Sequence, residues 1–294
     1  MSHPDTHWRN PFFRRSLSIL LTAVLFFPLF AAAQSADRKI ANAVFSNAFT
    51  HKMIDKPIGS VMIFVGKQFL GYPYVPNTLD TADSEVLVCD LHSFDCVTFV
   101  ENVLALSRCI KKDLLSFESY QKELTSIRYR NGVLRGYSSR LHYFSDWIFD
   151  NEKKGITENV THSIGGVPYR KVIKFMSTHR PSYTKLSADS VFQQIVACEE
   201  SLNTRSMYYI PKSLLPKVQS SIRSGDILAI TTAQPGLDVS HTGIAVRGES
   251  GTLLFLHAPD VGEFVTLTKE PLENYLNRHP AQTGIMVARP RNPE

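Results

Sequence analysis

From Val97 onward apolar residues recur at three- and four-residue steps, at Phe99, Val100, Val103, Leu104 and Leu106, while Thr98, Glu101, Asn102 and Ser107 fill much of the other side. That period predicts a helix docked on a core by one face. Upstream, Ala36 to Phe49 and the segment on to Phe69 read mostly as helix, interrupted at Pro57-Ile58-Gly59, with VMIFV open to being a buried strand instead. Phe69 to Thr81 is a Gly/Pro-punctuated extended loop carrying Tyr72 and Tyr74, and SEVLVCDL, Ser84 to Leu91, reads as a short strand leading into the helix. Further on, SIGGVPYRKVIKFM predicts a hairpin around Gly165-Gly166, Ala188 to Glu200 a helix, and YIPKSLLPKV a loop with two prolines.

The last third changes period. GDILAITT, HTGIAVRG, GTLLFLHAP, GEFVTLT and TGIMVARP are five short apolar segments separated by turn residues, the signature of an antiparallel meander. Helical material in front of a strand-rich half predicts an α+β fold, with the helix that follows Asp95 laid against the sheet. No tandem repeat or low-complexity segment interrupts it.

The first 33 residues stand apart. Arg14 and Arg15 precede the apolar run Ser16 to Phe30, and Ala31-Ala32-Ala33 follows: a secretory signal pattern with cleavage expected after Ala33. The run is short for a membrane span and contains Pro28, so no stable membrane anchor is expected after cleavage. The expected organisation is therefore a signal peptide at 1–33 and a single catalytic domain at 34–294, with an inserted segment at about 111–220 as a substrate wall. Export places the mature chain in the periplasm or outside the cell, where disulfides form.

Composition changes this picture little. The 294 residues are 43% hydrophobic and 20% charged, and the formal charge of +5 is dispersed, which argues against a nucleic-acid partner. Oligomeric state leaves no trace.

Candidate chemistry centres on Cys96. Asp95 is a favoured N-cap residue, so Cys96 falls in the first helical turn, where free backbone N–H groups and the helix dipole favour an anion and lower a thiol's pKa. A buried inert cysteine fits position alone equally well. His241 opens the second strand of the meander and His257 ends the third. Counting outward from the turn between them, each lies about eight residues from its centre, at similar heights. Facing histidines suit a base and its orienter, with His241 taking the thiol proton.

Between these motifs, Ile127 to Asn151 is aromatic and basic. On a helix Arg140, Phe144 and Trp147 or Ile148 would share one face, and Tyr143, Asp146 and Asp150 another. The plain interpretation is an aromatic core seam with a solvated charged face; the sharper one is a wall that binds sugar and peptide. Asp226 after Gly225 reads as a turn former.

FDCVTFVE around Cys96, SHTGIAV around His241 and FLHAP around His257 resemble the Cys, His and His signatures of NlpC-type cell-wall peptidases, relatives of papain. More narrowly GYPY, FDCVTFVE, RYRNG, SSRLHYFSDWI, SGDILAITT and GLDVSHTGIAV, in that order from Phe69 to Pro290, resemble the N-acetylmuramoyl-L-alanine amidase-like subfamily. Two departures are HAP for the commoner HAS and the extra thiol Cys89. The resemblance implies a papain-like fold and a cofactor-free cysteine amidase acting on peptidoglycan fragments, including 1,6-anhydro-muropeptides, between N-acetylmuramic acid and L-alanine. It further implies Tyr74 as an auxiliary oxyanion group beside the Cys96 N–H, and raises Arg140, Tyr143, Asp146, Asp238 and Ser240 as substrate-binding residues.

Three alternatives remain open on sequence. A γ-D-glutamyl-diamino-acid endopeptidase would use the same set on another bond, and a muropeptide-binding protein would keep the fold without catalysis. A zinc site built from His241, His257 and Asp226 lacks any H-E-x-x-H or paired C-x-x-C pattern and leaves Cys96 idle, so no metal is expected. Of the other thiols, Cys89, Cys109 and Cys198 are expected to be reduced core residues. If a bridge forms, the expected pair is Cys109 with Cys198.

Overall fold

The apolar periods of the first half fold as helices in the computed structural model, which describes residues 35–80 and 82–294. The expected signal peptide and its cleavage point at Ala33 lie outside the described residues. Helix α1 covers 35–50, and α2 (Ile58–Gln68) starts directly after Pro57, so VMIFV is helical. There follow α3 (Cys96–Lys111), α4 (Phe117–Arg128) and α5 (Phe144–Lys153). The chain continues through β1 (Thr157–Asn159), β2 (Val167–Pro168), α6 (Phe175–Thr178), α7 (Asp189–Asn203), β3 (Tyr208–Pro211) and α8 (Leu215–Val218). Strands β4 (Ile227–Thr232), β5 (Val239–Arg247), β6 (Leu253–His257) and β7 (Thr266–Leu267) come next, then α9 (Leu272–Asn277) and β8 (Gln282–Pro290).

The sheet runs β2-β3-β8-β4-β5-β6-β7, with β1 also on β8, and its pairs are antiparallel. The expected meander is thus correct from β4 to β7, but the last strand returns across it to lie beside β4. The reason is burial. Alternate residues of β4, β5, β6 and β8 go to two different cores: Ile227, Ala229, Ile244, Val246, Leu256, Met286 and Ala288 pack with the helices. Leu228, Ile230, Ala245, Phe255, Ile285 and Val287 pack beneath with Leu215, Leu272 and Leu276. A strand buried on both faces needs a neighbour on both edges as well, and β8 takes the open edge of β4. The result is a mixed α+β architecture.

Several local expectations are corrected. Ser84 to Leu91 makes no ladder; its backbone is held instead by side chains, Arg128 donating to Val88 O at 2.6 Å and Leu91 N–H to Asp37 at 2.9 Å. Gly165-Gly166 forms a turn closed by Gly166 N–H on Thr161 O (2.9 Å), and β2 pairs with the distant β3 rather than forming a hairpin. YIPKSLLPKV contains β3 and α8 rather than a loop. Helix α3 is not amphipathic in the fold: from Thr98 to Ile110 every residue is buried. Its polar side faces partners, with Arg128 Nε on Glu101 at 2.7 Å, Trp147 Nε1 on Glu101 at 3.2 Å and Arg108 Nε on Glu123 at 2.7 Å.

Helix α5 begins only at Phe144, so Arg140 and Tyr143 precede it and the face-sharing expected over 140–150 is lost. Phe144 and Trp147 do stack, ring centres 4.7 Å apart. Asp226 behaves as a turn residue, accepting from Arg223 N–H at 2.8 Å and from Nε and Nη2 of Arg289. Cys89, Cys96, Cys109 and Cys198 are free thiols, and Cys198 lies 3.5 Å from Arg130 rather than beside Cys109.

Candidate active site

Cys96 is the first residue of α3, and its position is set by a reciprocal cap. Thr98 N–H donates to Asp95 Oδ1 (2.7 Å) while Asp95 N–H donates to Thr98 Oγ1 (2.9 Å), so two N-terminal donors are satisfied and the backbone turns sharply into the helix. The loop carrying Tyr74 is stitched to the same place, Phe94 N–H on Pro73 O (3.1 Å) and Val75 N–H on Phe94 O (3.0 Å). On its far side Tyr74 N–H donates to Glu263 O at 2.9 Å. Tyr74 is thereby brought to the wall of the cleft that holds Cys96.

The histidines come from β5 and β6. Register pairs Ile244 with Leu256 and Arg247 with Leu253, so the turn centres on Ser250, one residue later than symmetric counting predicts. His257 therefore sits diagonal to His241 on the same face rather than opposite it, and still reaches it: His241 Nε2 and His257 Nδ1 are 2.8 Å apart. Two features make the diagonal workable. Opposite Ile230 and Thr231 the register slips by one residue at Ser240, a bulge that re-aims the start of β5. Across from His257, Gly243 has no side chain. A Cβ there would lie 2.6 Å from the Phe255 ring and 2.8 Å from His257 Cβ. Gly243→Ala is accordingly expected to displace His257 and cut kcat roughly tenfold or more with little change in KM, measurable by steady-state kinetics.

The cleft, about 770 Å³, is lined by Tyr74, Cys96, Ser240, His241 and His257, and beyond them by the charged segment from Lys269 to Gln282. Electrostatics here correct the expected low-pKa thiol. Burial, and then the Asp95 carboxylate, push the Cys96 thiol up to about 12, against the pull of the N–H groups of Thr242, Cys96 and Val97. Burial lowers His241 to about 4 and His257 to about 2. The dipole at the helix start is real but smaller than the cost of dehydrating a thiolate. Both shifts run toward the neutral forms, thiol and imidazole.

Burial, with the neighbouring Cys96 and Asp95, also raises the Tyr74 phenol above its ordinary range, so it keeps its proton and is a donor. One proton is shared between His241 Nε2 and His257 Nδ1, and the tautomer that carries it on His241 leaves His241 Nδ1 as the basic nitrogen. Among the described residues no group of three or more His, Cys, Asp or Glu side chains is arranged to hold a metal ion.

Of the expected substrate residues, Ser240 alone is in the cleft wall. Arg140 is buried against Asp80 and Glu85 (3.4 Å to the latter). Tyr143 donates to Glu199 at 2.6 Å and accepts from Met176 N–H at 2.8 Å. Asp146 is clasped by Arg130 (2.6 Å) and Arg205 (2.7 Å), and Asp238 accepts from Ser145 N–H at 2.8 Å and its own Val239 N–H at 2.7 Å. Their bonding capacity is consumed in tying the middle segment to itself, to Asp80 and Glu85 and to the residue before β5, which is why an aromatic and charged pattern there is structural. What the motifs passed over is the stretch Thr268 to Gln282, with α9 inside it. Tyr275 from α9 packs edge-on to His257, ring centres 5.2 Å apart. Its only sequence signal is Pro271 ahead of a short apolar pair, Leu272 and Leu276.

Comparisons with known proteins bear on the fold and the family. A solved N-acetylmuramoyl-L-alanine amidase from Bacteroides uniformis is 37% identical with a TM-score of 0.75, the match covering 80% of this chain and 99% of that one. A Bacteroides fragilis protein provisionally named as a xylanase is also 37% identical, with a TM-score of 0.72 and 76% and 98% of the two chains covered. A Legionella pneumophila protein, 22% identical over 89% of this chain and 96% of its own with a TM-score of 0.68, shares the fold. No curated protein matches. The family described as AmiA-like, N-acetylmuramoyl-L-alanine amidase-like, matches over residues 64–285, a span that includes the cap at Asp95, the nucleophile candidate and both histidines, and to that family the chain belongs.

Proposed function

We propose that this chain is an exported, periplasmic cysteine amidase of the NlpC-type, papain-like class that hydrolyses the amide between N-acetylmuramic acid and L-alanine in peptidoglycan fragments, 1,6-anhydro-muropeptides among them. The observation that carries it is the 2.8 Å His241–His257 hydrogen bond in the same cleft as a capped, helix-start Cys96. Family membership supports a peptidoglycan amidase.

In this mechanism the Cys96 thiol gives its proton to His241 Nδ1 as its sulfur attacks the amide carbonyl, because neither partner is charged at rest. The Cys96 N–H and the Tyr74 hydroxyl hold the oxyanion. His241 then protonates the departing L-alanine nitrogen. Water, deprotonated by the same imidazole, releases the acyl group from sulfur, while His257 keeps the base in its tautomer and orientation.

Mass spectrometry of purified disaccharide-tetrapeptide after incubation tests the bond: free disaccharide and intact tetrapeptide are expected. Cleavage between D-glutamate and the diamino acid would assign the endopeptidase alternative, and unchanged substrate would leave a binding protein.

The neutral pair also sets a pH dependence. His241 is active only when unprotonated, so kcat/KM should fall as pH drops through about 4 and stay level from about 5 upward. Iodoacetamide should label Cys96 slowly at pH 6. A thiolate–imidazolium pair would instead give rapid alkylation there and a second limb near the ordinary thiol pKa.

A further inference from the structure

We propose that the apolar groove on the outer side of the loop 258–266 is a sugar subsite, in which Phe264 is the platform for a pyranose ring on the glycan side of the scissile bond; this rests on the amidase reading above and extends it. The groove is lined by Leu70, Gly71, Pro259, Glu263, Phe264 and Thr266, and Pro259, Glu263 and Thr266 also line the catalytic cleft, so the two are continuous. Phe264 is 56% exposed, Leu70 43% and Val261 67%. Single exposed apolar side chains need no explanation, but two that share a groove continuous with the cleft of the proposed nucleophile mark a binding surface.

The platform is rigid. Gly71 N–H donates to Val265 O (2.9 Å), Val265 N–H to Tyr72 O (2.8 Å) and Tyr74 N–H to Glu263 O (2.9 Å), so the backbone on both sides of Phe264 is pinned by the same ribbon that carries Tyr74. An exposed ring on fixed backbone loses little freedom when a ligand covers it. The chemistry around it is amphipathic in the way a pyranose is: a phenyl and an isobutyl side chain for the C–H face, and the exposed Glu263 carboxylate and Thr266 hydroxyl for ring hydroxyls. The same cleft also holds Lys269, His279 and the Arg278–Glu270 ion pair, whose cationic groups suit the carboxylates of a stem peptide. A stable second copy of the chain would need roughly 1,200–2,000 Å² of buried surface, more than this patch offers.

The test uses the full chain, an N-acetylmuramoyl peptide and the matching lactoyl peptide that keeps the amide but lacks the sugar. Phe264→Ala should lower the preference for the sugar-bearing substrate roughly tenfold, about 1.4 kcal/mol, chiefly through KM, while Phe264→Trp retains it. A preference that stays within about twofold, with Phe264→Ala folded as judged by its melting temperature, overturns the subsite.

Binding separates this failure from that of the amidase reading. In the Cys96→Ala background, calorimetry with the N-acetylmuramoyl peptide should weaken roughly tenfold on adding Phe264→Ala. Unchanged binding overturns the subsite whether or not the wild type hydrolyses the peptide. A change in sedimentation on Phe264→Ala with unaltered binding would assign the face to a second copy, which also overturns it.

Discussion

Cys96→Ala should reduce hydrolysis of the muropeptide amide by roughly 10⁴-fold or more while leaving the fold intact. The fold is spared because the cap that starts α3 is made by Asp95 and Thr98, and alanine is a good first-turn residue. His241→Ala should cost about as much, since without the base the half-buried thiol, whose pKa is raised, has nowhere to send its proton. His257→Ala should leave a measurable residue of rate: the base survives without its orienter. The informative variant is the double one, Cys96→Ala with His241→Ala. Nucleophile and base act as a unit, so the second loss adds little to the first. Two large losses that multiply in single-turnover assays, or substantial activity in Cys96→Ala, would sink the cysteine mechanism.

The largest effect on stability is expected at Glu101. Its side chain and that of Arg128 are almost wholly buried, 2.7 Å apart, on the side of α3 that the apolar period assigns to solvent. Burial by itself raises the Glu101 carboxyl, and the Arg128 guanidinium opposes that shift. Glu101→Gln leaves the guanidinium buried against a neutral amide, with Val88 O as its remaining partner, and should cost about 3–5 kcal/mol. For a chain of this size that is a fall in Tm of roughly 5–10 °C. Replacing both partners, Glu101→Leu with Arg128→Met, removes the charge along with its counter-ion and should recover much of the loss. Thermal melts of the three variants decide it. Equal destabilisation by the single and double replacements would mean that packing volume, and not an unpaired charge, dominates at this site.

Residue periodicity and turn chemistry were enough to place α2, α3, α7 and the strands β4 to β8 in outline, because apolar spacing reports which faces are dry regardless of what covers them. Cys96 at a helix start was legible for the same local reason: Asp95 and Thr98 are close in sequence, and their cap needs nothing from the rest of the chain. Strand ends bearing His241 and His257 were equally visible. Their register was nearly so, missing only the one-residue offset of the turn at Ser250, which depends on how Gly248 to Gly251 closes.

Tertiary structure decided the rest, and each case turns on contacts between distant residues. Nothing local says that Glu101 meets Arg128 or that Asp146 meets Arg205, so a charged, aromatic stretch that reads as a substrate wall is a buried strut. The partner of β2 is 40 residues away, and β8 joins β4 only because both faces of that strand are already covered. The protonation state of the site is likewise a tertiary property. A helix N-terminus lowers a thiol's pKa, but Cys96 is half-buried in the cleft wall beside the Asp95 carboxylate, and both of these push the other way. The chain by itself marked the groups proposed to do chemistry here; only folding decided which of them share a cleft and which surfaces stand open beside it.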